Sequence, residues 1–217
     1  SAASDVYKRQ RYHSHMEDKI MQNISRENAD IIGEVANICI GNAATTLSMI
    51  LQKPTNITTP IVEVLKKEDA LDHDDRILIK VPYTKGLDGT NLLIIKLNDA
   101  LVIANLMMGG NGSNVSDMTL DEITLSAISE AMNQMCGTIA TSMSSLLNEP
   151  TDIGFPLINS SYQKTFDIPD ELCNGTDIVK VTFRLTVGDL IDNEAVAKYN
   201  ELKLDNIYIQ NKVCQYS

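Results

Sequence analysis

Two glutamate and asparagine pairs, Glu34 with Asn37 and Glu130 with Asn133, are the residues whose types and spacing could do chemistry together. At i and i+3 on a helix, an acid and an amide project from one face as neighbours. The amide both donates and accepts hydrogen bonds, so it can hold a water by one group and turn it toward an electrophile by the other. It cannot serve as a nucleophile. A carboxylate beside it is ordinarily an anion at neutral pH and suits an ion pair with a lysine better than proton donation. Such a pair positions a water and borrows every other group it needs. Other catalytic arrangements are missing: there is no nucleophile elbow and no His-Glu-x-x-His, and His13, His15 and His73 fall in an N-terminal tail and a loop.

The two pairs are copies of one another. Sliding the sequence by 96 residues lays Asp30-Ile-Ile-Gly-Glu34-Val-Ala-Asn37 on Ser126-Ala-Ile-Ser-Glu130-Ala-Met-Asn133. The same shift superposes Gly41 on Gly137, Ala44 on Ala140, Thr45 on Thr141, Ser48 on Ser144, Leu51 on Leu147, Pro54 on Pro150, Ile57 on Ile153 and Pro60 on Pro156. A lone Glu and Asn three apart would be a solvated helix face. The same pair returning at the same place in a duplicated half argues for function.

The elements that must carry these residues are helices. From about Asn28 to Leu51 the apolar residues fall at helical spacing, and Pro54 supplies the stop. At 100° per residue, Asp30, Glu34, Asn37, Gly41, Ala44, Thr45 and Ser48 share a polar stripe roughly 100° wide, while Ile31, Ile32, Val35, Ile38, Cys39, Ala43, Leu47, Met49 and Ile50 cover the rest. The four small residues, Gly41, Ala44, Thr45 and Ser48, suggest close helix packing. The second helix opens at a capping box, Thr119-x-x-Glu122, runs to about Leu147 and carries the matching stripe of Ser126, Glu130, Asn133, Gly137, Ala140, Thr141 and Ser144.

Between the helices the period changes to two. Ile61 to Leu65 reads as a strand, and Arg76 to Tyr83 with Asn91 to Leu97 reads as a hairpin turning at Asp88-Gly89. A shorter helix follows over Asn98 to Met108. Gly109-Gly-Asn-Gly-Ser-Asn114 is a linker and no phosphate loop, since it follows a helix and lacks the Gly-Lys-Ser/Thr ending. Strands are expected at Asp152 to Leu157 and Ile178 to Val187, and beyond Ile191 the text reads as a charged, weakly periodic tail.

A net charge of −11 and a pI near 4.6 argue against a nucleic-acid groove or an anionic membrane surface. Phosphate chemistry here must bring its own cation. The longest apolar run, Leu101 to Met108, is short of a membrane span, which points to a cytoplasmic protein. Cys39, Cys136, Cys173 and Cys214 show no metal spacing, and the first two read as buried reduced thiols.

The spacing Asp/Ser-x3-Glu-x2-Asn with Pro 23 residues after the Asn is met by Asp30, Glu34, Asn37 and Pro60, and again by Ser126, Glu130, Asn133 and Pro156. This pattern resembles the CheC/CheX/FliY family of phosphatases acting on phosphorylated CheY. Ile57-Thr-Thr-Pro60, Glu130-Ala-Met-Asn-Gln-Met135 and Leu185-Thr-Val-Gly-Asp-Leu-Ile191 look most like its FliY phosphatase domains. The resemblance covers about residues 27 to 192 and does not extend to a FliN-like domain. It implies that Glu34, Asn37, Glu130 and Asn133 are catalytic, with Asp30, Ser126, Pro60 and Pro156 supporting the motif. Each Asn would orient the water attacking the receiver's phosphoaspartate, and each Glu would contact the receiver's lysine. The protein would hold no cofactor or metal of its own, the receiver carrying Mg²⁺. Phosphorylated CheY is the implied partner, with CheD or the flagellar switch proteins FliM and FliN beside it, and neither nucleic acid nor membrane insertion.

The expected fold is one α+β, CheC-like domain with pseudo-twofold symmetry, two long helices packed on a mostly antiparallel sheet. Its halves span about 27–108 and 115–190, within a domain over 23–192. Residues 1–22 are expected to be a disordered or non-native tail, and 193–217 a C-terminal tail. The competing readings are a CheY-binding or switch-complex component without hydrolysis and, with less support, a small-molecule sensor.

Overall fold

Among the described residues, apolar periodicity closes into three α-helices over one antiparallel sheet. A computed structural model describes residues 26–66, 76–87, 90–159 and 177–199. The helices are α1 (Arg26–Leu51), α2 (Leu97–Met107) and α3 (Glu122–Leu147). The strands are β1 (Thr55–Ile57), β2 (Ile61–Lys66), β3 (Arg76–Lys85), β4 (Thr90–Lys96), β5 (Asp152–Ile153), β6 (Leu157–Asn159), β7 (Asp177–Val187) and β8 (Ile191–Tyr199). The turn at Asp88-Gly89, all three histidines, Cys173, Cys214 and both expected terminal tails up to residue 25 and from residue 200 lie outside the described residues.

The sheet runs β1-β7-β8-β4-β3-β5, with β2 also on β7 and β6 also on β3. Every pairing among the described residues is antiparallel. This order reads the same from either end once β1 is matched with β5, β7 with β3 and β8 with β4. The duplication is therefore a pseudo-twofold in space, with its axis between β4 and β8. It is also an exchange: β1 and β2 of the first half pair with β7 of the second, while β5 and β6 of the second pair with β3 of the first. Neither half holds a complete sheet of its own.

Three expectations are corrected. The stretch after Ile191 is no tail but β8, paired with β7 on one side and β4 on the other. It reads weakly because its inward positions include a small residue and an amide: Ile191 and Ala195 are buried, while Asn193 between them donates to Asp99 and accepts from Lys96. The expected strand Asp152 to Leu157 is two strands, β5 and β6, interrupted before Pro156, which has no N–H for a ladder. The equivalent break at Pro60 separates β1 from β2. The cap of α3 is Asp121, whose Oδ1 accepts from the Thr124 amide at 2.8 Å, and not Thr119. The helix starts at Glu122, so Asp121 is the residue whose carboxylate reaches the open N–H groups of the first turn.

The core lies between the helices and the sheet. Ala43 and Leu47 of α1, Ile103 of α2 and Ile128 and Met132 of α3 close on Ile79, Ile95, Val181 and Val187. On the other face of β3 and β4, Leu78, Leu92 and Ile94 are buried as well. By length and composition the segment Asp30–Leu51, with mean hydropathy 1.2, is long enough to cross a membrane. In the fold its apolar side is spent on the sheet and on α3.

Candidate functional site

Helices α1 and α3 lie side by side and antiparallel. Asn42 Nδ2 donates to Ser142 Oγ at 2.9 Å, and the Thr46 and Thr138 hydroxyls meet at 2.7 Å. Positions 42 and 138 are equivalent in the duplication, as are 46 and 142, so these two contacts are one contact repeated across the axis. Both helices end alike: Gln52 and Asn148 each take the left-handed conformation, at φ 52° and 54°, ahead of Pro54 and Pro150. Ser48 Oγ donates to the Lys53 carbonyl, and Ser144 Oγ both accepts from the Thr151 amide and donates to its carbonyl. Ser48, expected to help helices touch, and its counterpart Ser144 instead tie each helix end to the chain that follows it.

Helical packing aims the paired residues outward. On α1, Asp30, Glu34, Asn37, Gly41 and Thr45 are exposed; on α3, Ser126, Glu130, Gly137 and Thr141 are exposed and Asn133 is half-buried. Pro60 is half-buried and Pro156 buried, each ending the segment that leads from its helix into the sheet. Asn37 stands seven residues before the midpoint of the seam at 42 to 46. At 1.5 Å per residue the two asparagines are roughly 20 Å apart along the helix axes, one toward each end of the layer.

The open face differs from the expected stripe in two ways. It is rotated toward Ile38, Asn42 and Met49, all exposed, while Ala44 is buried. The packing suggested for Gly41 and Thr45 does not occur. A Cβ built on Gly41, or on Gly137, would meet nothing within 4 Å. Helix contact is made through Asn42, Thr46, Thr138 and Ser142, polar residues that a search for small ones overlooks. Their 96-residue equivalence was the available signal.

The copies also differ from each other. Gln134 Nε2 donates to Glu130 Oε1 at 2.8 Å, whereas the equivalent of Gln134 in the first copy is Ile38. Glu34 has no hydrogen bond or ion pair among the described residues. A cleft of about 350 Å³ runs along α3 beside Asn133, lined also by Gln134, Gly137, Thr138, Thr141 and Ile153. Cys39 and Cys136 lie under the faces, buried, with burial pushing both thiols up to about 12. They are protonated structural groups, as expected.

Each face thus offers a carboxylate, an amide and an unobstructed helix backbone, and no nucleophile. Among the described residues no three His, Cys, Asp or Glu side chains gather as a metal site. The arrangement can orient a water or a partner's polar group, and its electrophile must come from outside.

A family model described as CheC-like matches residues 27–64 and 123–153, the two helices with the strands that follow each. The chain is 42% identical over 185 residues, 82% of its length, to the flagellar motor switch phosphatase FliY of Bacillus subtilis (strain 168), and that match covers 48% of the relative. It spans about half of that protein. It is 23% identical over 132 residues to the CheY-P phosphatase CheC of the same organism, covering 58% of this chain and 63% of that one. Among solved structures, Thermotoga maritima FliY matches with a TM-score of 0.71 and 34% identity, over 89% of this chain and 96% of that one. With both copies matched by the family and a FliY structure shared almost end to end, this chain belongs to the FliY branch of the CheC-like family.

Proposed function

We propose that the chain is a phosphatase for the phosphoaspartate of the chemotaxis receiver CheY, acting at the flagellar motor switch. The observation that carries this reading is the twofold presentation of an acid and an amide, Glu34 with Asn37 and Glu130 with Asn133, on outward helix faces. Catalysis by such a face is positioning. The Asn carbonyl oxygen accepts from a water while its NH₂ group donates to the receiver, which holds that water in line with the phosphorus. The Glu carboxylate pairs with the receiver's active-site lysine and so sets the angle of docking. The receiver's Mg²⁺ supplies the charge neutralisation that a chain of net charge −11 cannot. The names of the FliY and CheC relatives support both the reaction and its substrate.

The test is turnover. Catalytic amounts of the protein are expected to clear an excess of phosphorylated CheY, and Asn37→Ala with Asn133→Ala is expected to remove that acceleration while leaving the circular dichroism spectrum and melting temperature unchanged. Stoichiometric protection of phosphorylated CheY without turnover would make the chain a binding component instead.

A further inference from the structure

The chain that leaves α3 runs back along that helix and brings an exposed phenylalanine to Asn133. The Thr151 amide donates to Ser144 Oγ at 2.9 Å, and Ile153 lines the cleft with Gly137 and Thr141. Two further residues of extended chain advance about 6.6 Å, the length of roughly four residues of helix. Phe155 therefore falls level with positions 134 and 135, beside Asn133. From the other side, the seam contacts of 42 with 142 and 46 with 138 put Met49 level with position 135. Phe155 is 63% exposed and Met49 67%.

A single exposed apolar residue is ordinary. This one is held in place. The Gly154 amide donates to the Pro82 carbonyl at 2.7 Å, and a Cβ on Gly154 would come to 3.0 Å from Pro82 and 3.1 Å from Thr84. On the other side Pro156 is buried. With the backbone fixed at both neighbours, the ring has only its own rotations to lose on being covered, which is what makes a rigid aromatic side chain an effective anchor. The chain has three phenylalanines and no tryptophan, and Phe183 is spent on the core.

We propose that Phe155 is an apolar anchor for the partner that presents its phosphoryl group to Asn133. The inference rests on the phosphatase reading and takes the same occupant, the receiver CheY. A standard protein contact covers about 800 Å² on each side, a patch of roughly 16 Å radius. A receiver seated on Asn133 thus covers Phe155 as well, and must offer an apolar surface beside its phosphoaspartate to meet the ring. Phe155 is a positioning residue: it holds the receiver and touches neither the water nor the phosphorus.

The experiment uses the full chain carrying Asn37→Ala, so that turnover reports on Asn133 alone. Adding Phe155→Ser should raise KM for phosphorylated CheY about tenfold, the effect of withdrawing roughly 60 Å² of covered ring. The value of kcat should change less than twofold, and the melting temperature should hold because the ring lies outside the core. Phe155→Leu keeps most of the apolar area and should stay within about threefold of the parent KM. An unchanged KM, a change confined to kcat, or loss of turnover in the Asn37→Ala chain when the unmodified chain turns over, overturns the inference and leaves the phosphatase reading standing. So does loss of self-association in sedimentation at unchanged KM, which would give the ring to a second copy of the chain. Absence of turnover in the unmodified chain overturns both readings.

Discussion

Replacing Gly41 and Gly137 by alanine separates what the helices need from what their outer face must admit. Each glycine sits in the interior of a 26-residue helix, where glycine costs about 0.5–1 kcal/mol relative to alanine through lost backbone freedom. Nothing lies within 4 Å of the added methyl at either position, so no clash offsets the gain. The two sites share no contact, and their effects should add to about 1–2 kcal/mol. For a domain of this size that is a rise in melting temperature of roughly 2–8 °C, read by calorimetry or circular dichroism. Phosphatase activity should move the other way. If the face docks the receiver as proposed, a methyl at its middle forces that partner off by overpacking, and kcat/KM is expected to fall about tenfold or more per site. A melting temperature that stays level or drops refutes the claim that these glycines are unopposed by packing. A variant both more stable and fully active refutes the claim that the backbone is left bare for a partner.

Burial lifts the Asp99 carboxyl above its ordinary value of 3.8, more than the Asn193 hydrogen bond and the nearby Lys96 and Arg76 charges lower it. A raised group contributes stability that is whole below its unfolded value and lost as pH rises through the folded one. The advantage of Asp99→Asn over the parent in urea titrations should therefore grow from acid toward neutral pH, and an advantage that shrinks refutes the assignment. Asp121→Ala should lower the melting temperature while Thr119→Ala leaves it unchanged, since only Asp121 accepts from the Thr124 amide. The reverse order would restore the capping box. A chain ending at Ile191 should lose cooperative unfolding, because removing the rest of β8 strips pairing from both β7 and β4. A sharp melting transition in that truncation would show that β8 is dispensable.

Much of this was legible in the residues. Helical periodicity and prolines set α1 and α3 to within a few positions, because amphipathic spacing and chain-breaking residues are local signals. The duplication picked out Glu34, Asn37, Glu130 and Asn133, and the fold leaves three of them exposed and the fourth, Asn133, half-buried beside a cleft.

The remainder belonged to tertiary structure. A period-two pattern says that a strand has two faces, and nothing about which strand lies beside it. The exchange of β1 and β2 for β5 and β6 could not be read locally, nor could the place of β8 at the centre of the sheet, where Asn193 and Ala195 serve as inward residues without apolar bulk. The small residues on the stripe look alike in a list of letters. Only the packed helices show that Ala44 is buried while Gly41 faces open space, because contact depends on the rotation of the helix against its neighbours and not on side-chain size.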